Sequence, residues 1–113
     1  MSITIYHNPR CSKSRAALAY LQEHDFSPIV LEYLQDAPDE PTLRALAAQV
    51  PGGASSLIRA KDAKVLGITA QDDEAVIATL AAHPELIERP IVVTPLGVRL
   101  GRPLENIYEI LPR

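Results

Sequence analysis

Apolar positions along this chain change their spacing several times, and each change predicts an element. Ile3-Thr4-Ile5-Tyr6 is a short β-branched run closed by Asn8-Pro9, which predicts a strand over residues 3–6. From Ser12 the spacing turns helical: Ser14, Leu18 and Leu21 share a face with Ala17 and Tyr20 beside them, until the pattern stops near His24. Asp25, Phe26, Ser27 and Pro28 carry the chain back into Ile29-Val30-Leu31-Glu32-Tyr33, a second strand. A whole helix separates the two strands, so they are expected to lie parallel in a right-handed βαβ unit.

The middle of the chain reads as helical. Asp39 is placed to cap a helix whose first turn holds Glu40 and Pro41. Leu43, Leu46, Ala47 and Val50 repeat at helical spacing until Pro51-Gly52-Gly53 stops them. A shorter helical piece is predicted from Ser55 to about Lys61, carrying Leu57 and Ile58. Asp72 or Asp73 opens another helix, with Val76, Ile77 and Leu80 as its buried stripe and His83-Pro84 as its end.

Ile91-Val92-Val93-Thr94, Pro95-Leu96-Gly97 and Val98-Arg99-Leu100 then read as a hairpin. Pro103 suits the first turn of a closing helix with Leu104, Ile107, Tyr108 and Leu111 as its stripe. The order is β-α-β, helices, β-β-α: an α/β domain with a mixed four-stranded sheet and a helical insertion over about 39–83. No internal repeat, low-complexity segment or linker interrupts it, so residues 1–113 are expected to form a single domain.

Composition narrows the function. Apolar residues make up 47% of the chain but only five are Phe or Tyr, so the core is expected to be aliphatic. A formal charge of −3 argues against a general nucleic-acid or anionic-membrane binder. The N-terminal residues lack the basic and long apolar regions of a secretory leader, and no stretch has the length of a membrane span. A cytoplasmic location is expected, with neither nucleic acid nor membrane as partner. No His, Cys, Asp and Glu cluster has metal-ligand spacing, so no metal site is expected.

The one cysteine, Cys11, changes the picture most. It sits in His7-Asn8-Pro9-Arg10-Cys11-Ser12-Lys13-Ser14-Arg15, at the predicted strand-to-helix turn, with three cationic residues within four positions. A helix N-terminus and nearby cations both lower a thiol pKa. The free N–H groups of that turn, with the hydroxyls of Ser12 and Ser14, also suit a tetrahedral oxyanion. The Ser14 hydroxyl is placed to hydrogen-bond the thiolate, but it cannot form a disulfide, so any redox turnover needs a thiol from another molecule. His7 either supports the thiolate or shuttles a proton, or is simply a polar residue at the strand's end. His24 and His83 lie at predicted helix C-termini, where a cation suits the dipole.

A reactive cysteine at the first βα turn of this element order is the thioredoxin-like arrangement. That fold keeps a cis-proline before its third strand, facing the cysteine, and Pro90 stands there; outside that fold the same proline would merely begin a strand in trans. Arg89, before the third strand, and Arg102, after the fourth, are placed where a thioredoxin-like layout can bring forked donors toward an oxyanion, and Arg59 lies in the middle helical region. Each alone also reads as a solvated surface residue, and Arg99 alternates out of a strand.

Ile3-Thr4-Ile5-Tyr6-His7-Asn8-Pro9-x-Cys11-x-x-Ser14-Arg15, together with Glu88-Arg89-Pro90-Ile91-Val92-Val93-Thr94-Pro95-Leu96-Gly97 and the following Val98-Arg99-Leu100-Gly101-Arg102-Pro103, closely resembles the glutaredoxin-coupled arsenate reductases. The resemblance implies Cys11 as nucleophile, His7 as support for its thiolate, and an arsenate site drawn from Arg59, Arg89, Arg102, Ser12, Ser14 and Arg15. It implies arsenate reduction with glutathione as co-substrate, glutaredoxin as partner and no bound cofactor. Ser12-Lys13 stands where the best-known members carry Gly-Thr, which alters the anion loop and keeps its backbone donors. Two other readings share the thiol: a glutathione-dependent thiol/disulfide reductase without arsenate activity, and a transcriptional regulator of the Spx type. The latter usually pairs two cysteines where this chain has Ser14.

Overall fold

The structure, a computed structural model, describes residues 2–68 and 72–112. The chain clusters into two compact units: Met1–Asp36 with Arg89–Arg113, and Ala37–Glu88.

The first unit is built on a four-stranded sheet. Its strands are β1 (Thr4–His7), β2 (Ile29–Glu32), β3 (Ile91–Thr94) and β4 (Gly97–Leu100), in the order β2-β1-β3-β4. A helix, α1 (Ser12–Glu23), connects β1 to β2, and these two strands pair in parallel with Ile5 opposite Val30 and His7 opposite Glu32. The β1–β3 and β3–β4 pairs are antiparallel. This is the mixed sheet and βαβ crossover that the periodicity predicts, with β1 shifted one residue toward its C-terminal end so that His7 joins the strand.

Alternation along the strands decides the packing. Ile3, Ile5 and Val92 gather with Ala17 and Leu21 of α1 and with Ile107, Ile110 and Leu111 in one aliphatic cluster. Ser14, Ala17 and Leu21 are the fully buried positions of α1, the face that the sequence spacing picks out. β2 is an edge strand, and Ile29 and Val30 remain exposed on it.

The closing segment differs from expectation. Leu104–Ile110 is a 3₁₀ helix, not an α-helix. Three residues per turn align Leu104, Ile107 and Ile110 on the packed side, and Tyr108 falls outside that stripe and is exposed. The buried Thr94 hydroxyl holds the end of this turn by donating to the Ile110 carbonyl at 2.6 Å. Two X-Pro bonds of the unit are cis, Arg89–Pro90 and Arg102–Pro103.

The second unit holds α2 (Glu40–Gln49), α3 (Ala60–Val65) and α4 (Asp73–Ala82) with two short 3₁₀ turns, Gly53–Leu57 and Pro84–Leu86. Asp39 caps α2 by accepting from the Thr42 N–H at 2.9 Å, and Asp72 caps α4 through the Ala75 N–H at 2.8 Å. Leu43 and Leu46 of α2 and Val76, Ile77 and Leu80 of α4 are buried, as the spacing predicts. The single helical piece expected from Ser55 to Lys61 is instead two, broken at Ile58 and Arg59. The break has a backbone cause: Ile58 bridges Ile87, the Arg59 N–H donates to the Leu86 carbonyl, and the Glu88 N–H donates to the Leu57 carbonyl.

Candidate active site

Cys11 is the N-cap of α1. A tight turn brings it there: its N–H donates to the Asn8 carbonyl at 3.0 Å, and its carbonyl accepts the first helical bond, from the Arg15 N–H. Asn8 is the hub of this loop, a role the sequence spacing did not single out. Its side-chain oxygen accepts from the Arg10 N–H, and its own N–H donates to the Ser14 hydroxyl, both at 3.0 Å.

The half-buried sulfur lies where the first-turn N–H groups converge. Burial alone would raise the Cys11 pKa, but the Ser14 N–H, the Arg89 side chain, the Lys13 N–H and the Arg89 charge outweigh it and hold the thiol below its ordinary value. The two N–H groups act on the sulfur without closing a formal side-chain cap. No acidic residue occupies the first turn, so a thiolate is the negative group that complements this helix end.

Two arginines reach the sulfur from the other end of the chain. Arg102 Nη1 donates to Cys11 Sγ at 3.9 Å and to the Arg89 carbonyl at 3.3 Å. The Arg102 carbonyl in turn accepts from the Asn106 side chain at 3.2 Å. Arg89 Nε is buried without a hydrogen-bond partner. Gly101 lets these two segments approach: its N–H donates to the Pro90 carbonyl at 2.9 Å, and a Cβ there would lie 2.8 Å from Pro90 Cγ. That contact makes Gly101 a positioning residue for Arg89 and Arg102, signalled in the sequence only by a glycine at the strand's end.

His7 and Ser14 sit beneath the loop. Their side chains meet at 2.6 Å, Nδ1 to Oγ, and both residues are buried. The Ser14 hydroxyl, expected on the thiolate, instead serves His7 and the Asn8 N–H, because α1 turns it inward and leaves its backbone N–H facing the sulfur. Burial is the main cause that lowers the His7 pKa; Glu32 opposes it and Arg15 adds to it. The ring is therefore neutral at physiological pH and supports the loop as a hydrogen-bonding strut. Because the folded pKa lies below the unfolded value of 6.5, the unfolded chain binds more protons once the pH falls under 6.5, and stability declines there. Urea midpoints measured from pH 7.5 down to 5 should fall more steeply for the wild type than for His7→Gln; equal slopes would contradict a buried neutral His7.

The remaining expected residues divide. Arg15 spends Nη1 on the Pro9 carbonyl at 3.0 Å, so it ties the loop to the helix. Ser12 is exposed at the first helical position. Arg59 lies in the helical unit, where its guanidinium pairs with Asp62 at 2.8 Å and Glu88 at 3.0 Å. Among the described residues no group of three or more His, Cys, Asp and Glu is arranged to hold a metal, and no helix is long and apolar enough to cross a membrane.

A mixed sheet whose first βα turn carries an activated thiol, with a cis-proline leading its third strand, defines a thioredoxin-like protein. The chain belongs to the ArsC family, which it matches over residues 6–110. It is 42% identical over 114 residues to an arsenate reductase of Neisseria meningitidis serogroup A, covering 96% of this chain and 97% of that one. With an arsenate reductase of Escherichia coli K12 it shares 41% identity over 116 residues, 98% of this chain and 82% of the other. Among solved structures, an arsenate reductase from Vibrio cholerae superposes with a TM-score of 0.86 at 41% identity, covering 98% of both chains.

Proposed function

We propose that this protein reduces arsenate to arsenite, with Cys11 as nucleophile and glutathione and glutaredoxin as external reductants. The observation that carries the proposal is the convergence on Cys11 Sγ of Arg102 Nη1, the Arg89 side chain and the N–H groups of Ser14 and Lys13. Such donors stabilise a thiolate at rest and then the oxygens of a bound oxyanion. The buried, unpaired Nε of Arg89 is one donor that an arsenate oxygen would satisfy.

In this reading the Cys11 thiolate attacks arsenic, an As–S bond forms, and hydroxide leaves as water after protonation. Arg89, Arg102 and the loop amides offset the charge on the oxygens as the geometry at arsenic changes. Arg59 is assigned as a further arsenate ligand on family resemblance, Ser12 and Arg15 as residues that shape the anion loop, and Pro90 as its cis-proline. A glutathione thiolate then displaces a second oxygen, also as water. The glutaredoxin thiolate attacks the glutathione sulfur; the As–S pair stays with arsenic, which becomes trivalent, and the two sulfurs leave as a mixed disulfide. Water releases arsenite and returns the Cys11 thiol. One arsenate and two external thiols thus give one arsenite, one disulfide and water.

The single cysteine agrees with that dependence, since the chain has no second thiol to resolve the adduct. In this reading residues 1–113 act as one catalytic domain with a helical insertion over about 39–83, in the reducing cytoplasm. Arsenite formation in a purified system of this protein, glutathione and glutaredoxin is the test.

A further inference from the structure

A cleft of about 330 Å³ opens beside the same loop, lined by His7, Asn8, Pro9, Arg10, Glu32, Leu34 and Gln35. Sheet order separates it from the arginines that reach the sulfur. β1 has β2 on one side and β3 on the other; the cleft follows the β1–β2 edge, whereas Arg89 precedes β3 and Arg102 follows β4. Its volume falls within the range of small-molecule sites, at the lower end.

Two exposed opposite charges line this cleft. Among the described residues neither Arg10 nor Glu32 makes a salt bridge, with each other or with a third group. Half-exposed Leu34 adds an apolar surface to the lining. An oxyanion would meet the Glu32 carboxylate there and be repelled. A ligand carrying both an ammonium and a carboxylate on a short aliphatic stem would satisfy all three surfaces.

We propose that this cleft binds the zwitterionic amino-acid end of the external peptide thiol, with Glu32 taking the ammonium, Arg10 a carboxylate and Leu34 the methylene stem. The assignment rests on the thiol-dependent reading of Cys11 above. Reach is adequate: Arg10 and Cys11 are adjacent, with Cα atoms about 3.8 Å apart, and an extended tripeptide spans at most about 10 Å. The thiol therefore approaches the cysteine from the β2 side while the oxyanion is held from the β3–β4 side. The thiol thus reaches the arsenic held on the Cys11 sulfur without competing for the oxyanion's donors.

S-methylglutathione, which keeps the charges but cannot react, is the probe. Titrated into the ¹⁵N-labelled wild type, it should shift the amide signals of Asn8, Arg10, Glu32, Leu34 and Gln35. Glu32→Gln should weaken that binding roughly tenfold, the size expected for one charge-assisted hydrogen bond. N-acetylation of the probe should weaken binding to the wild type by the same factor and leave binding to Glu32→Gln unchanged. In turnover, Glu32→Gln should raise the glutathione KM about tenfold with the arsenate KM unchanged. Absent binding, shifts confined to Cys11, Arg89 and Arg102, or a change in the glutaredoxin KM alone would overturn the assignment. The probe needs no arsenate, so a wild type that binds it as described but reduces no arsenate would refute the oxyanion reading and leave the cleft in place.

Discussion

Cys11→Ser is expected to lower arsenate reduction by on the order of 10³-fold or more, to the level of a protein-free control. The reason is local. A serine hydroxyl stays protonated at neutral pH unless a base removes its proton, and the one buried imidazole of the loop is committed to Ser14 through Nδ1 at 2.6 Å. The donors around position 11 hold a thiolate below its ordinary pKa but supply no proton acceptor. Oxygen at this position also loses the polarisable nucleophile that attacks arsenic. The fold should survive, because Cys11 is only half-buried and its backbone turn depends on Asn8. Arsenite measured by a coupled assay, with circular dichroism as the folding control, checks both statements. Activity within a few fold of wild type would remove Cys11 from the chemistry.

Replacing Arg102 or Arg89 by lysine should raise the arsenate KM by about tenfold or more, because a point charge cannot reproduce the planar fork. Arg102 now makes two contacts with one nitrogen, at 3.9 Å to the Cys11 sulfur and 3.3 Å to the Arg89 carbonyl, so its other donors remain for an oxyanion. Leucine at position 89 should also move the thiol. Arg89 lowers the Cys11 pKa by hydrogen bonding and by charge, so Arg89→Leu raises it, and each unit of rise lowers the thiolate fraction near neutral pH up to tenfold. The pH profile of Cys11 alkylation should therefore shift upward in Arg89→Leu and less in Arg89→Lys. An unchanged arsenate KM in both lysine variants would contradict the arginine site.

Much of this architecture is legible in the sequence because each element satisfies one strong local rule. β1 and α1 announce themselves by the switch from period two to period 3.6 around Cys11, and Asp39 and Asp72 cap their helices as their side chains dictate. The closing 3₁₀ helix escapes such reading, since Leu104, Ile107 and Leu111 fit an α-helical stripe almost as well as Leu104, Ile107 and Ile110 fit a 3₁₀ one. The Ile58–Arg59 break is invisible for another reason: its cause is a bridge to Ile87, 29 residues further along the chain.

The site divides in the same way. Cys11, with its cations and helix start, is a local signal; the direction in which Ser14 points is not. Only the helical phase of α1 decides that its hydroxyl meets His7 while its N–H faces the sulfur. Asn8 and Gly101 carry no chemistry that a sequence reading would flag, since they act through backbone bonds and a close contact with Pro90. Arg59 carries no such local signal: its assignment to the oxyanion rests on the resemblance, and its guanidinium also pairs with Asp62 and Glu88.

The central claim is that arsenate is the oxidant this thiolate accepts. Its most direct test is arsenite formation by the purified wild type with arsenate, glutathione and glutaredoxin, run beside a glutathione mixed disulfide as the competing substrate. The account predicts saturable arsenite production, two external thiols oxidised per arsenite, and a clear preference for arsenate. No arsenite above the protein-free control, with steady turnover of the mixed disulfide, would contradict it.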